Sequence, residues 1–228
     1  MNPYSIRLRW DEWVAEGSAS LRKDPLLGPL VTEQPTPAVP VTNGAYPDLI
    51  DAVVGQQLSV KAAAAIKARL VETLGPDWKE PRALLALSHE ELRAAGLSNA
   101  KVRYTRGIAA AVADGLIDLP ALEEEVDDTI VAELVKLPGV GPWTAEMVLI
   151  FSFCRPDVFS VGDLGIRNAV ARVAGVDRDD RAAIHTIAEA WSPYRSLACR
   201  YLWNSLENTP LEAPGSAVPG EPGTPQAT

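Results

Sequence analysis

A tight Gly-x-Gly turn between two helical patterns constrains this chain more than any other feature. Apolar residues at helical spacing lead up to Leu137, and Pro138 cannot continue that helix. Gly139 and Gly141 permit positive φ angles and a close backbone approach, and Pro142 suits the first turn of the next helix. The sequence therefore predicts two helices joined by a turn whose backbone N–H groups face outward.

This turn has two interpretations. Free N–H groups and the positive end of a helix dipole favour a phosphate ligand. Such a site can hold a nucleic-acid backbone without reading its sequence, because no base edge is contacted. The alternative is an ordinary helix–helix turn closed by a glycine cap. The turn alone does not separate the two.

A single acid, Asp163, stands at the start of a third helical pattern that follows an apolar run. It comes after Gly162 and precedes apolar residues at helical spacing, beginning with Leu164 and Ile166. An Asp in this position is normally an N-cap that accepts backbone hydrogen bonds. The same geometry gives a carboxylate of fixed orientation, which could stabilise a positively charged sugar or orient a water at an anomeric carbon.

Short sequence blocks in a fixed order resemble a known family. Leu137-Pro-Gly-Val-Gly141 and Val161-Gly-Asp163 resemble the helix-hairpin-helix/Gly-Pro-Asp DNA glycosylase superfamily. Three further blocks are similar to its 3-methyladenine DNA glycosylase II (AlkA-type) branch: Val53-Val-Gly-Gln-Gln-Leu-Ser59, Trp143-Thr-Ala-Glu146 and Trp191-Ser-Pro-Tyr-Arg-Ser196. The resemblance covers roughly residues 20–207.

The resemblance implies an all-α fold of two lobes with a helix-hairpin-helix motif. Residues 46–150 would form one lobe with the hairpin, and residues 151–207 the second lobe with the catalytic Asp. Residues 1–45 would pack with the second lobe, and the Pro- and Gly-rich residues 208–228 would form a disordered tail. The implied activity is that of a monofunctional DNA glycosylase, which hydrolyses the N-glycosidic bond of alkylated bases of the 3-methyladenine type in base excision repair. The implied partner is double-stranded DNA containing damaged bases, bound by a monomer.

The resemblance assigns the catalytic role to Asp163 and a base pocket to several large side chains. An electron-rich ring attracts an N-alkylated purine, because that base carries positive charge. Trp203 is expected to be the main stacking platform, and Met147 stands where relatives often have Tyr. Without the resemblance, aromatic residues on helices would be read as core. The pocket candidates are four aromatic residues and one methionine: Trp203, Trp143, Tyr194, Trp191 and Met147.

Two turns supply the predicted DNA contacts. In the superfamily, the turn at Gln56-Gln57 inserts a residue into the duplex where the damaged nucleotide leaves, which makes Gln57 the wedge candidate. A polar helix end is the simpler alternative. The DNA-binding candidates lie in this turn and in the hairpin: Gln56, Gln57, Ser59, Gly139, Val140, Gly141, Trp143 and Thr144.

No cofactor is expected to be required. Trp143 stands where lyases of the superfamily carry a Schiff-base Lys, so water is the predicted nucleophile. Cys154 and Cys199 are too few for the four-cysteine iron–sulfur cluster of endonuclease III-like relatives, and both are predicted to be buried free thiols. The resemblance also implies an optional structural cation at the hairpin, either monovalent or Mg²⁺, held by three backbone carbonyls: those of Val135, Leu137 and Val140.

The net charge of −9 is unusual for a DNA-binding protein, so the distribution of charge matters more than its sum. The basic residues expected to face DNA lie on two predicted helices. No window contains the roughly 18 apolar residues of a membrane helix, and the N-terminus has no signal-peptide pattern, so a cytoplasmic location is expected. The five basic candidates are Lys101, Arg103, Arg106, Arg195 and Arg200.

Local signals place several helix boundaries. Ser59 and Ser98 are predicted caps, and Ser88-x-x-Glu91 has the form of a capping box. Asp127-Asp128 is a predicted N-cap before the hairpin, and a strand is expected in the first ~20 residues because of their aromatic content.

Three other functions remain open from the sequence. A non-catalytic helix-hairpin-helix DNA-binding protein would explain Gly139 and Gly141, but neither the Val161-Gly-Asp163 block nor the tryptophans. A mismatch or oxidised-base glycosylase would fit the fold, although the Lys and the cluster cysteines are missing. A structural or interaction protein is favoured only by the acidic composition.

Overall fold

The computed structural model describes residues 6–207, and every regular element in that range is helical. The all-α fold class is therefore confirmed. The expected N-terminal strand is wrong, because Trp10–Leu21 form helix α1, which follows a 3-10 turn at Arg7–Arg9. Trp10, Trp13 and Val14 are buried on one face of α1, and this burial outweighs the strand preference of Trp. Residues 1–5 and 208–228, which include the predicted tail, lie outside the described residues.

Six helices carry the chain from the N-terminal segment into the first lobe. Three predicted caps are confirmed here: Ser59 accepts a hydrogen bond from Ala62 N–H, Ser98 does so from the N–H of Lys101, and Ser88 forms the capping box with Glu91. A 3-10 turn at Gly75–Asp77 follows the helix that ends at Leu74. The six helices are α2 (Gly28–Glu33), α3 (Ala45–Gly55), α4 (Val60–Leu74), α5 (Pro81–Ala86), α6 (His89–Ala94) and α7 (Asn99–Ala113).

The hairpin lies between two short helices. Helix α8 (Leu119–Leu122) precedes α9 (Asp127–Leu134), and α10 (Pro142–Met147) follows the Gly-x-Gly turn. Val148–Ser152 then form one π-helical turn, a feature that often occurs at functional sites. The predicted Asp127-Asp128 cap is wrong: Val126 is the N-cap and has no side-chain cap bond. Asp127 instead forms an ion pair with the buried Arg155, and both acids lie in the first turn, where the helix dipole favours them.

Three helices complete the described chain. Helix α11 (Leu164–Ala174) ends at Gly175, which adopts the left-handed conformation. Helix α12 (Arg181–Glu189) and helix α13 (Arg195–Glu207) follow. Of these three, α13 packs most extensively against α11 and also contacts α1.

Two hydrophobic cores organise these helices. One is built from residues between Tyr46 and Val158, and the other combines residues 6–31 with residues from Cys154 to Leu202. Trp203 packs against both cores and thus lies at their junction. The exact domain boundaries stay predictions. None of the helices within residues 6–207 has the length and hydrophobicity needed to cross a membrane.

Both cysteines belong to the second core. They are buried free thiols, as predicted from the sequence. Burial raises the pKa of the Cys154 thiol and raises that of Cys199 to about 12. Neither thiol is therefore a nucleophile at neutral pH.

Candidate active site

Asp163 is the N-cap of α11. Its Oδ1 accepts a hydrogen bond of 2.8 Å from the backbone N–H of Ile166. The capping function predicted from the local pattern is therefore present. Its side chain is nevertheless only half-buried, so this carboxylate remains within reach of solvent and of a ligand.

Two indole groups also donate to this carboxylate. Trp143 Nε1, on α10, lies 2.8 Å from Asp163 Oδ2, and Trp203 Nε1, on α13, lies 3.1 Å from Oδ1. An N-cap needs only the backbone bond, so these two side-chain donors serve the orientation of the carboxylate rather than the start of the helix. Trp143 lies on α10, directly after the hairpin, and Trp203 packs against both hydrophobic cores. Side chains from two separate parts of the fold therefore fix the orientation of Asp163.

A cleft of about 490 Å³ opens beside Trp143. This volume lies in the usual range for small-ligand sites and is large enough for a flipped base. Trp143, Met147 and Phe151 give it an apolar side, and polar residues of α3 and α4 stand among the remaining lining. The polar and charged side chains of the lining are Asn43, Asp48, Asp51, Lys67 and Ser152.

The structure brings only part of the predicted pocket together. Trp143 and Met147 line the cleft, whereas Trp203 lies next to it, with its ring centroid 5.5 Å from that of Phe151. Trp191 is only 1% exposed and packs on Phe159 in the second core.

Tyr194, which was predicted to line the pocket, is not among the residues that line the cleft. Its ring packs on Trp13 of α1, with 5.9 Å between centroids. The expectation that Trp191 and Tyr194 line the pocket is therefore corrected: both pack in the second core, where Phe159 contacts the ring of Trp191 and Trp13 of α1 contacts that of Tyr194.

Sequence reasoning missed Phe151 and Asp48. Phe151 stands in an apolar run that reads as core, and the π-helical turn changes the register so that Phe151 reaches the cleft. Asp48 accepts hydrogen bonds from the hydroxyls of Thr42 and Ser152 and from the backbone N–H of Asn43. Acids on an otherwise apolar helix were the available signal for this wall of the cleft.

The two hairpin glycines differ in backbone conformation and in the space around their Cα atoms. Gly139 has φ +78°, and a Cβ there would lie 2.4 Å from ring carbons of Tyr104. Gly141 has an ordinary φ of −101°, and a Cβ there would meet nothing within 4 Å. The fold therefore requires the first glycine but not the second. The open space at Gly141 is available to an approaching backbone.

Two other predicted hairpin contacts, Thr144 and Val140, have buried side chains. Thr144 is only 2% exposed, so it is not available as a direct DNA contact, and that prediction is corrected. Its hydroxyl accepts a hydrogen bond of 3.0 Å from Gln56 Nε2. Val140 is also buried, so only its backbone remains a candidate contact.

The turn after α3 presents Gln57 rather than Gln56. Gln56 is directed inward, and its amide nitrogen donates to Gly139 O at 2.9 Å. Gln57 is exposed and has φ +57°, a left-handed conformation that is uncommon for a residue with a side chain. Ser59 caps α4. Of the two glutamines, Gln57 is thus the one whose side chain is exposed, and its role as the wedge stays a prediction.

Most of the predicted basic residues are engaged within the protein. Lys101 donates to two backbone carbonyls, Arg106 to the carbonyl of Leu87, and Arg195 to the carboxylate of Asp157. The Arg200 guanidinium lies 5.0 Å from the centre of the Trp10 ring. The expected basic face is corrected accordingly. The five basic candidates do not form a common free surface, and Arg103 is the exposed one.

Glu146 is a second carboxyl group near Asp163. Burial raises its pKa, a hydrogen bond from the Ser160 hydroxyl lowers it, and the charge of Asp163 raises it further, with a net increase. A carboxyl whose pKa is raised on folding contributes stability below its unfolded pKa, and that contribution is lost as pH rises through the folded pKa. Above the ordinary glutamate pKa, Glu146 therefore lowers the stability of the fold.

Glu146→Gln is expected to melt at a higher temperature than the native protein at pH 7–8, because the amide removes the buried charge. The difference should close below the ordinary glutamate pKa of about 4.3. Thermal unfolding across this pH range measures it. Glu124→Gln, at an exposed glutamate, is the control and should follow the native protein at each pH. A stabilisation by Glu146→Gln that is equal at all pH values would contradict this account.

Comparison with known proteins identifies the family. The model of the HhH-GPD superfamily base excision DNA repair proteins matches residues 50–193, which contain the hairpin, most of the residues that line the cleft, and Asp163. The chain belongs to the HhH-GPD superfamily. The superfamily resemblance of the sequence blocks is thereby confirmed.

Relatives within the HhH-GPD superfamily carry a common activity in their names. The putative DNA-3-methyladenine glycosylase YfjP of Bacillus subtilis is 30% identical over 169 residues, which are 71% of this chain and 59% of that protein. This chain thus matches less than two thirds of the length of that relative. A DNA-3-methyladenine glycosidase from Bacillus halodurans has a similar structure, with a TM-score of 0.73 and 32% identity over 84% of this chain and 89% of the other.

A solved complex with DNA has the same fold. The 3-methyladenine DNA glycosylase of Schizosaccharomyces pombe, in complex with abasic DNA, superposes with a TM-score of 0.76 and 29% identity. The match covers 84% of this chain and 97% of that chain. The HhH-GPD fold of this protein is therefore one that holds DNA in a homologue.

Proposed function

We propose that this protein is a DNA glycosylase that removes alkylated bases of the 3-methyladenine type from double-stranded DNA during base excision repair. The observation that carries the proposal is the carboxylate of Asp163. Indoles from Trp143 and Trp203 hold it, and Trp143 also lines a cleft of base size. The names of the relatives give the substrate class, and we extend it to this chain, as a monomer of the type II, AlkA-like branch.

The proposed reaction assigns one task to each part of the site. Backbone N–H groups of the hairpin hold a phosphate beside the lesion, and Gln57 fills the gap in the base stack. The extruded base enters the cleft between Trp143 and Phe151. An N-alkylated purine is already cationic and needs no protonation to leave. Asp163 stabilises the oxocarbenium-like sugar, and water adds to its anomeric carbon.

Water, rather than the protein, is the proposed nucleophile. A lyase needs a Lys amine that forms a Schiff base with the sugar. Trp143 occupies the position of that Lys, and its Nε1 is bonded to Asp163. The nearest Lys in sequence, Lys136, is largely exposed and pairs with Glu133 on the outer side of the hairpin.

A base-release assay tests this proposal. Duplexes that each contain one lesion (7-methylguanine, ethenoadenine, hypoxanthine or 8-oxoguanine) and a methylated duplex that contains 3-methyladenine are incubated with the full chain. We expect release of alkylated bases and an abasic strand that is cut only by later alkali or heat. Release of 8-oxoguanine alone, or an adduct trapped with borohydride, would overturn the substrate class or the monofunctional mechanism. Binding without any base release would indicate a non-catalytic DNA-binding protein.

The hairpin glycines provide a matched pair of variants. Gly139→Ala is expected to lower stability by about 1–2 kcal/mol or more, because its φ is positive and Tyr104 fills the space. Gly141→Ala should leave the melting temperature unchanged and weaken duplex binding about tenfold, because its methyl group obstructs a phosphate rather than the fold. Melting curves and DNA titrations at one salt concentration measure both. Unchanged DNA affinity in Gly141→Ala would count against the phosphate contact.

No cofactor is required by this reaction, and a structural cation is an optional addition to the hairpin. Carbonyl oxygens are ligands that hard cations prefer. The carbonyl of Val135 lies at the end of α9, where the last carbonyls lack intrahelical partners, and that of Leu137 accepts the Val140 N–H. These atoms and the Val140 carbonyl would hold a monovalent ion or Mg²⁺, whose charge would strengthen the attraction for a phosphate. Within residues 6–207 no cluster of three or more His, Cys, Asp or Glu side chains is arranged as a metal site.

A further inference from the structure

The turn that carries Gln57 is tied to the hairpin by a side chain that spans both. Gln56 Nε2 donates to Gly139 O at 2.9 Å and to Thr144 Oγ1 at 3.0 Å. The two partners flank the Gly141 turn, on the hairpin and on α10. A single amide thus joins the end of α3 to the hairpin across 83 residues of sequence.

Lys101 holds the same turn from its other side. Its ammonium group donates to the carbonyls of Val54 and Gln56, at 2.8 and 2.9 Å. These are carbonyls at the C-terminal end of α3, where a positive charge is favoured by the helix dipole. Partial burial lowers the pKa of the Lys101 amine. Its two carbonyl bonds give this basic side chain a structural role within the protein.

The face of α7 that carries Lys101 also supports the hairpin. A Cβ at Gly107 would lie 2.5 Å from Pro138 Cγ, so the helix and the proline are in close contact. Tyr104, between them on the helix, packs on Gly139. Residues 101, 104 and 107 are spaced three apart and therefore share one face of α7. One helix thus contacts both turns.

Gln57 itself needs such support. A non-glycine residue at positive φ is strained and persists only where the surroundings fix it. Gln56, its neighbour in sequence, is fixed at both its amide and its carbonyl. The exposed Gln57 side chain therefore projects from a turn that is hydrogen-bonded to the hairpin through Gln56.

We propose that Gln56 and Lys101 are positioning residues that set the separation between the phosphate-holding hairpin and the wedge at Gln57. The inference rests on the proposed function, since it assigns both turns to DNA. Through this linkage, binding of the phosphate places Gln57 at the gap left by the extruded nucleotide. Neither residue touches DNA. Their loss should spare general DNA binding and impair recognition of the gap.

The test compares binding to two duplexes that differ at one position. One contains a tetrahydrofuran abasic-site analogue flanked by 2-aminopurine, whose fluorescence reports unstacking, and the other is undamaged. Gln56→Met and Lys101→Met are compared with the native chain. Arg103→Met removes an exposed charge from the same helix and measures the effect of charge alone. Gln57→Ala sets the scale of complete wedge loss.

Both positioning variants are expected to bind undamaged duplex as well as Arg103→Met does, to within about twofold. Their preference for the abasic duplex should fall about tenfold, and the fluorescence change should be lost. A loss of this size is expected when a partly buried hydrogen bond is removed. A well-folded Gln56→Met with native preference would overturn the proposal. If Gln56→Met does not fold, Lys101→Met carries the same test.

The two proposals fail differently. In one result, the native chain prefers the abasic duplex and releases bases while the positioning variants keep the same preference. That result would support the glycosylase proposal and overturn only the proposed linkage. A native chain that shows neither preference nor base release would overturn both.

Discussion

Replacing Asp163 with Asn is expected to slow base release by at least about 100-fold, because one preorganised charged group at a reacting centre is worth roughly 3 kcal/mol or more. Asn caps helices about as well as Asp, so α11 should still form. One indole donor then faces an amide N–H group, which costs about the value of one hydrogen bond, on the order of 1 kcal/mol. Fold and DNA affinity should therefore be close to native.

The matched control is Asp180→Asn. Asp180 is the exposed N-cap of α12, where its carboxylate accepts the N–H of Ala183. This variant undergoes the same chemical change at a helix start outside the cleft, and its base-release rate should be native to within about twofold. Single-turnover kinetics with excess enzyme measure the rate. Comparable rates for Asp163→Asn and Asp180→Asn would reduce Asp163 to a capping residue.

Trp143→Ala is expected to harm the excision of cationic lesions more than that of neutral ones. Every flipped base gains apolar contact from the ring, but only a cationic base gains the cation–π energy of about 1–2 kcal/mol. Losses for 7-methylguanine should therefore exceed those for hypoxanthine by about 5- to 30-fold. The measurement is kcat/KM for both lesions in one salt buffer.

Trp143→Phe separates the ring from its N–H group. Phe retains an aromatic face but cannot donate to Asp163, so both lesions should lose activity by a similar factor. Equal losses for the two lesions in Trp143→Ala would show that Trp143 acts only through packing or through Asp163. The charge preference would then have to come from another lining residue, and Phe151 is the next aromatic to replace.

Local signals predicted what depends on nearby residues. The cap at Asp163, the capping box of Ser88 and Glu91, and the positive φ of Gly139 each follow from a few neighbouring side chains and backbone groups. The order of the blocks then indicated the family. Features of this chain that depend on short-range interactions can therefore be predicted from its sequence.

Partners distant in sequence decided the rest. Gln56 was predicted to be a DNA contact because the resemblance assigns its turn to the duplex, whereas its amide in fact donates to Gly139, which lies far along the chain. Tyr194 looked like a pocket residue until α1 covered its ring. Lys101 was predicted to face DNA, but its ammonium group donates to two backbone carbonyls that lie far away in sequence. The sequence pattern gave each residue its chemistry, but the tertiary packing decided which direction the side chain faces.

The burial of both thiols has a practical consequence for studying the DNA complex. The chain contains two cysteines, and neither Cys154 nor Cys199 is exposed or readily ionised. A cysteine introduced at the exposed position of Gln57 would then be the only reactive thiol. A DNA strand with a tethered disulfide would cross-link at that point, and neither native cysteine would first have to be replaced. The bond would report which nucleotide the proposed wedge position approaches.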